Sequence, residues 1–152
     1  CYLTLKTKIN FFLSDIYEKN KRLSLNFGHT FAHAIEMALE QKRKKDLIRH
    51  GEAVGLGMLC EVFYEKKKKD SVYNTIKDLL QSYNLPIVVS NKQIPIRKTI
   101  LQNLIYQKIF LDKKKLNKYP RFISIKKYSS SVAKEIKDFN LLNDTILHII
   151  KN

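Results

Sequence analysis

Two segments decide how this chain of 152 residues is interpreted: NFGHTFAHAIE at 26–36 and HGEAVGLGM at 50–58. The first contains His29 and His33, and the second begins at His50. Side chains four apart on a helix project from one face, one turn apart. Imidazole is the commonest metal ligand, and an i, i+4 pair with a distant third group is a familiar zinc geometry. The spacing alone leaves two interpretations open: a metal site, or histidines satisfied by backbone and solvent.

The spacing of apolar residues predicts a mainly helical chain around these segments. Residues 52–67 are apolar nearly all round, so we expect that helix at the centre of the domain. Glycine inside a helix costs about 1 kcal/mol, so Gly51, Gly55 and Gly57 predict close approach of another backbone or a ligand. The other predicted elements are helices at 5–16, 26–41, from a cap at Ser71, at 94–111 and, as one or two, at 132–150, with a strand at 121–126 and a turn at 129–131.

The net charge of +15, from 29 Lys and Arg against 14 Asp and Glu, would suit a nucleic-acid partner. Only five of the basic residues are Arg, however, and Arg is the residue that binds phosphates in a bidentate manner. Basic runs at 42–45 and 66–69 also interrupt the apolar periodicity. We therefore interpret the charge as solvated helix ends and loops and expect no nucleic-acid partner, although such a field would steer an anionic substrate.

The cysteines and the hydropathy pattern bear on the compartment. Cys1 and Cys60 make no disulfide framework, and Cys60 lies in an apolar run as a small core residue. No apolar stretch reaches the roughly 18 residues of a membrane helix, and no signal peptide is visible. We expect a cytoplasmic protein with no membrane partner.

Together the two segments resemble the metal-binding core of 3-dehydroquinate synthase, an enzyme family of the shikimate pathway of aromatic amino-acid biosynthesis. The resemblance is dense from Lys8 to Met58 and thin beyond Asp70. Outside the two segments, the matching polar residues are Lys8, Asp15, Glu18 and Arg22 upstream, and Asp112, Lys113 and Lys114 downstream.

The fold implied by this resemblance is the helical C-terminal domain of the dehydroquinate synthase-like fold, with at most one or two short strands. Members of the family hold NAD in an N-terminal nucleotide-binding domain. With four glycines and no Gly-x-Gly-x-x-Gly element after a strand, this sequence offers no Rossmann phosphate turn. We expect residues 1–152 to be a single helical metal- and substrate-binding domain, a fragment without its nucleotide-binding domain and a homodimer when full length.

For the metal, the resemblance implies that His29 and His50 bind Zn²⁺ or Co²⁺, with a third ligand, a Glu, from a segment that this chain does not contain. Glu36 and Glu52 are alternative ligands, but we expect them to be surface carboxylates or carboxylates that orient a ligand. His33 resembles the family's active-site histidine that does not bind metal, which transfers protons or contacts phosphate. A third metal ligand or a packed histidine remains the alternative for His33.

The resemblance also implies a set of catalytic and substrate-binding groups around the histidines. Arg22 and Asn26, one turn apart, would present a guanidinium and an amide to an anionic sugar. Lys8, Arg22, Asn26 and His33 are expected to act in both catalysis and substrate binding, and Lys113 and Lys114 in substrate binding. His148, in the terminal apolar helix, is interpreted as structural.

The implied reaction converts 3-deoxy-D-arabino-heptulosonate 7-phosphate to 3-dehydroquinate and phosphate. It is a carbon–oxygen lyase reaction in which NAD transiently oxidises a hydroxyl and the metal polarises an oxygen. The alternatives are another NAD- and metal-dependent sugar-phosphate cyclase, a catalytically inactive truncated helical domain, and a basic binding module. We expect the fragment alone to be inactive.

Overall fold

Six α-helices dominate the described part of the chain. The computed structural model describes residues 2–17, 21–42, 47–66, 70–90, 96–111, 119–126 and 130–151. The helices are α1 (Tyr2–Ser14), α2 (His29–Gln41), α3 (His50–Lys66), α4 (Ser71–Ser82), α5 (Lys98–Phe110) and α6 (Phe139–Ile149), with a 3₁₀ helix at Lys21–Asn26. The strands are β1 (Val89–Ser90), β2 (Arg121–Lys126), β3 (Ser130–Glu135) and β4 (Ile150–Lys151). The predicted mainly helical class is confirmed.

The strands form two small sheets. β1 pairs with β4 in parallel, and β2 pairs with β3 in an antiparallel hairpin in which Ser124 lies opposite Val132. The strand predicted at 121–126 is present. The helix predicted from residue 132 is wrong at its start, because residues 130–135 pair with β2 and α6 begins only at Phe139. The sequence of β3, SSVAKE, does not alternate apolar and polar residues, so it carried no period-2 signal there.

Helix α3 lies at the centre of the domain, as predicted. It contacts α2, α4, α6 and β2, and its residues Ala53, Leu56, Leu59 and Cys60 are fully buried. One apolar cluster fills the space between α2, α3, α5 and α6, and a second lies between α3, α4 and β2. Because α2 and α3 pack directly against each other, the histidines that begin them are brought together.

The glycines set how closely α2 approaches α3. A Cβ atom on Gly57 would lie 1.9 Å from the carbonyl oxygen of Gly28, and Gly28 itself has a φ of +85°. A Cβ on Gly55 would lie 2.8 Å from a methyl group of Leu80. The expected close approach of another backbone is therefore confirmed at Gly57, whereas the group that approaches Gly55 is a side chain. No backbone approaches Gly51, where nothing lies within 4 Å because this residue is in the exposed first turn of α3.

Two helix starts differ from the sequence prediction. α4 is capped by Asp70 rather than Ser71, since the Asp70 carboxylate accepts a hydrogen bond from the Val72 amide at 2.8 Å. α2 begins at His29 rather than residue 26, because Gly28 interrupts the helix and the preceding residues form the 3₁₀ helix. The first part of the helix predicted at 94–111 lies outside the described residues, and α5 begins at Lys98.

Helix α1 packs against the 3₁₀ helix and leaves much of its apolar surface exposed. Its exposed large apolar side chains include Tyr2, Leu3, Leu5, Ile9, Phe12 and Leu13. Several large apolar side chains exposed on one helix suit a surface that another segment or chain covers. Among the described residues, no helix is long and apolar enough to cross a membrane.

Candidate metal centre

Three histidine rings meet where α2 and α3 begin. His29 is the first residue of α2, His33 lies one turn further along it, and His50 is the first residue of α3. The ring centroids of His29 and His33 are 5.6 Å apart, those of His29 and His50 also 5.6 Å, and those of His33 and His50 6.1 Å. The structure therefore brings together three side chains that the sequence places up to 21 positions apart.

The ring of His29 is oriented by the backbone just ahead of α2. Its Nδ1 lies 3.4 Å from the carbonyl oxygen of Phe27, which assigns the proton to Nδ1 and leaves the lone pair on Nε2. Burial lowers the pKa of His29, and the neighbouring rings of His33 and His50 lower it further, against the opposing effect of the Phe27 hydrogen bond. His29 is thus neutral at neutral pH, the form in which imidazole binds a metal.

His50 is oriented by a carboxylate from the neighbouring helix. Its Nδ1 lies 2.9 Å from Oε1 of Glu36 in α2, which again leaves Nε2 with its lone pair. A carboxylate on the other ring nitrogen is the usual way in which proteins fix the tautomer and orientation of a metal-binding histidine. Glu52 makes a different contact: its Oε2 accepts a hydrogen bond from the Arg49 amide at 2.8 Å, which caps the start of α3.

The described residues supply part of a ligand set. No group of three or more His, Cys, Asp or Glu side chains among them is arranged to hold a metal ion. Catalytic zinc normally has three protein ligands and one open position. His29 and His50 each have Nδ1 in a hydrogen bond, so Nε2 is the nitrogen that could bind a metal, and His33 is exposed beside them. The arrangement suits two imidazole ligands that require a further ligand from elsewhere.

Arg22, in the 3₁₀ helix, has contacts to the end of α1. Its Nη1 donates to the carbonyl oxygen of Ile16 at 3.0 Å, and its guanidinium lies 4.6 Å from the centre of the Phe12 ring. The Arg22 backbone amide donates to the buried carboxylate of Asp15 at 3.1 Å. Arg22 is therefore held by α1, whereas Asn26 ends the 3₁₀ helix three residues ahead of His29.

Comparison with known proteins identifies the family of the chain. Residues 2–115 match the family described as 3-dehydroquinate synthase C-terminal. The chain belongs to this family. It is similar to 3-dehydroquinate synthases from Nitratiruptor (36% identical over 137 residues), Ruthia magnifica (34% over 149) and Endomicrobium trichonymphae (32% over 134). These alignments cover 87%, 95% and 86% of this chain but 33%, 38% and 32% of the relatives, so the chain spans about a third of their length.

The lysines expected from the dehydroquinate synthase resemblance are spread along the chain. Lys8 lies on α1 with an exposed side chain. Lys113 and Lys114 lie outside the described residues. His148 stacks on the ring of Phe63 at 4.3 Å and lies 2.5 Å from the hydroxyl of Tyr73, contacts that agree with a structural histidine between α6, α3 and α4.

Glu61, in α3, is a buried group that the sequence reasoning missed. Its side chain is 1% exposed, and its Oε2 accepts a hydrogen bond from the Ile123 amide of β2 at 3.3 Å. Burial raises its pKa to about 8, against the opposing effect of the backbone amides of Gly28, Ile123 and Thr30. The sequence did contain a sign of this group, namely a carboxylate inside a predicted helix that is apolar nearly all round. Such residues are almost never fully buried unless they are paired.

Proposed function

We propose that this chain forms the metal- and substrate-binding helical part of a 3-dehydroquinate synthase. The proposed reaction converts 3-deoxy-D-arabino-heptulosonate 7-phosphate to 3-dehydroquinate with release of phosphate. It would take place in the cytoplasm, in the shikimate pathway of aromatic amino-acid biosynthesis. The observation that carries the proposal is the meeting of His29, His33 and His50 at the starts of two packed helices. Family membership supports it, because the relatives are named for this enzyme.

His29 and His50 are the proposed ligands of Zn²⁺ or Co²⁺. Each has its Nδ1 occupied, by the Phe27 carbonyl oxygen and by Glu36, so each offers only Nε2 to a cation. The remaining protein ligand would come from a region that corresponds to the part of the relatives that this chain does not match. When bound, the metal would supply Lewis-acid polarisation of a substrate oxygen.

His33 is the proposed proton-transfer group. Its ring is exposed beside the two proposed ligands and would reach a substrate held there. An imidazole suits this task because its ordinary pKa lies near the working pH. Arg22 would hold the substrate's phosphate or carboxylate, because a guanidinium presents N–H donors in a planar fork that matches either group. We propose Lys8, Asn26, Lys113 and Lys114 as the remaining substrate contacts.

NAD would be bound by a nucleotide-binding domain outside this chain, and we propose a homodimer for the complete enzyme. The exposed apolar side chains of α1 support both proposals, because another domain or a second subunit could cover them. Another NAD- and metal-dependent sugar-phosphate cyclase is the second candidate, since such an enzyme would share the metal histidines. An inactive helical domain is the third.

The test is reconstitution. The chain is combined with the part of the Nitratiruptor synthase that it does not match, as a separate polypeptide and as a fusion, with NAD and zinc added. We expect phosphate release from the heptulosonate phosphate that depends on both parts and is abolished by His29→Ala. Chemical identification of the product separates 3-dehydroquinate from the product of another cyclase. A folded, zinc-loaded fusion that releases no phosphate would overturn the proposal.

A further inference from the structure

We propose that Glu61 is the positioning residue that fixes His29 relative to His50, by acting from α3 on the first turn of α2. The inference rests on the proposed function for its consequence in metal binding, whereas the positions of His29 and His50 are observed directly. Glu61 lies in the same helix as His50, three turns further along. It touches no proposed ligand side chain, so its effect would be exerted through the backbone.

The start of α2 has no cap of its own. The N-cap residue is Gly28, which has no side chain, and the first turn contains no acidic residue. The first N–H groups of a helix have no partner within the helix, and a carboxyl oxygen near this end can offset their loss of water as an acceptor. Here the carboxyl group comes from a different helix.

Glu61 occupies the required position. Its Oε2 accepts from the Ile123 amide, and the amides of Gly28 and Thr30, which flank His29, also act on its carboxyl group. Among the described residues, Oε1 has no hydrogen-bond partner, so the Gly28 and Thr30 amides act on the carboxyl group as nearby N–H dipoles. A fully buried carboxyl group without a cationic partner is costly unless local N–H groups offset the loss of water. The first turn of α2 provides such groups.

The first turn of α2, which contains His29, has further contacts close to Glu61. Gly28 packs against Gly57 of α3, and the Thr30 hydroxyl donates to the Arg121 carbonyl oxygen of β2 at 2.7 Å. The turn is therefore held between α3 and β2, and Glu61 of α3 bonds to the Ile123 amide of β2 at this junction. A ligand pair must be held to within about 0.5 Å for metal binding. Loosening the turn would move His29 while His50, at the start of α3, stays in place.

Glu61→Leu is the test variant, because it fills a similar volume and removes both oxygens. Glu61→Gln is the rescue variant, because it retains an acceptor for the Ile123 amide. Glu65→Leu is the matched control: Glu65 lies one turn further along α3, accepts from the Ser124 hydroxyl at 2.5 Å and pairs with Lys134. It therefore joins α3 to the same hairpin without a described contact to α2.

The first measurement is amide hydrogen exchange in the metal-free chain, read by NMR. The Ala32 amide bonds to the Gly28 carbonyl oxygen at 3.0 Å and reports opening of the first turn of α2. The Ala53 amide bonds to the Arg49 carbonyl oxygen at 3.0 Å and reports the equivalent turn of α3. In Glu61→Leu we expect exchange to rise at least tenfold at Ala32 and to stay unchanged at Ala53, with recovery in Glu61→Gln. Equal changes at both amides, or the same change in Glu65→Leu, would overturn the inference.

The second measurement is zinc affinity by competition with a chromophoric chelator. We expect Glu61→Leu to bind zinc at least tenfold more weakly than wild type, and Glu61→Gln and Glu65→Leu to bind within threefold of it. If wild-type protein binds zinc no better than His29→Ala, the proposed metal function of this chain fails, and the exchange data alone decide the role of Glu61. Should Glu61→Leu not fold, Glu61→Met carries the same expectation, and unaltered exchange at Ala32 in that variant would overturn the inference.

Discussion

Oε1 of Glu36 lies 2.9 Å from Nδ1 of His50, so a carboxylate of one helix orients an imidazole of the next. The contact joins α2 to α3 on the side of the junction where His29 and His33 also lie. It fixes which nitrogen of His50 faces the common space between the rings. A contact that orients a metal ligand in this way affects metal affinity more than it affects folding.

Glu36→Ala is therefore expected to weaken zinc binding by about 10- to 100-fold. The free energy of unfolding should change by less than about 1 kcal/mol, because the pair is partly exposed, with 58% of the His50 side chain accessible. Competition titration and urea unfolding measure the two quantities. Glu40→Ala, an exposed position one turn further along α2, is the control and should leave zinc affinity unchanged. Equal zinc affinity in the two variants would remove Glu36 from the site.

The two histidines of α2 are expected to differ in their effect on metal content. His29→Ala should abolish metal binding and the activity of the reconstituted enzyme together, because it removes a proposed ligand. His33→Ala should keep near-normal metal content and slow the reaction by about 10²- to 10⁴-fold, as for a lost proton-transfer group. Metal analysis of both purified variants beside single-turnover kinetics decides this. Equal loss of zinc in the two would make His33 a ligand.

The helical class and the histidine positions could be predicted from the sequence because they depend on local spacing. His29 and His33 share a helix face at any site where residues 29–41 are helical. The approach of His50 to them depends on the packing of α2 on α3. Gly57 indicated in the sequence that another backbone lies close to α3, but residue spacing does not show that this backbone is that of Gly28. The proximity of His50 to His29 was therefore implied by the family resemblance and not by the spacing of residues.

The features that the sequence did not reveal depend on contacts between distant segments. β3 is a strand because β2 lies beside it, and its own residues show no alternating pattern. Glu61 could be recognised as unusual within an apolar helix, but its partners, the amides of Ile123 and of the α2 start, belong to the backbone. Backbone groups have no sequence signature. The same holds for Arg22, because it bonds to a backbone group, the Ile16 carbonyl oxygen just after α1.

Gly57→Ala is expected to destabilise the fold by about 1–3 kcal/mol or more, the typical cost of forcing an extra carbon into a packed core. The added Cβ would lie 1.9 Å from the Gly28 carbonyl oxygen, and that backbone cannot move without separating α2 from α3. Zinc affinity should fall with stability, because His29 and His50 lie on the two separated helices. Gly51→Ala is the matched control: nothing lies within 4 Å of its Cβ, so stability should stay level or rise by up to about 1 kcal/mol. Urea unfolding of both variants measures this, and a Gly57→Ala protein as stable as wild type would contradict the described contact.

The last prediction concerns the pH dependence of stability caused by Glu61. Its pKa is raised from 4.5 to about 8 in the folded chain, because burial penalises the ionised form. Below pH 4.5 the group is protonated in both states and causes no penalty. Between about 4.5 and 8 the unfolded chain releases this proton while the folded chain keeps it, so the free energy of unfolding falls as pH rises.

One such group contributes a slope of up to about −1.4 kcal/mol per pH unit within that window, and none above it. Glu61→Gln removes the ionisation, so the difference in unfolding free energy between Glu61→Gln and wild type should grow in favour of the variant as pH rises from 4.5 to 8 and then level off. Urea titrations of both proteins across this range measure the difference directly. Glu65→Gln serves as the control, since it removes a carboxylate of α3 that pairs with Lys134. A constant difference between Glu61→Gln and wild type over the window would mean that the carboxyl group of Glu61 is ionised in the folded chain at neutral pH, held as an anion by the amides at the start of α2.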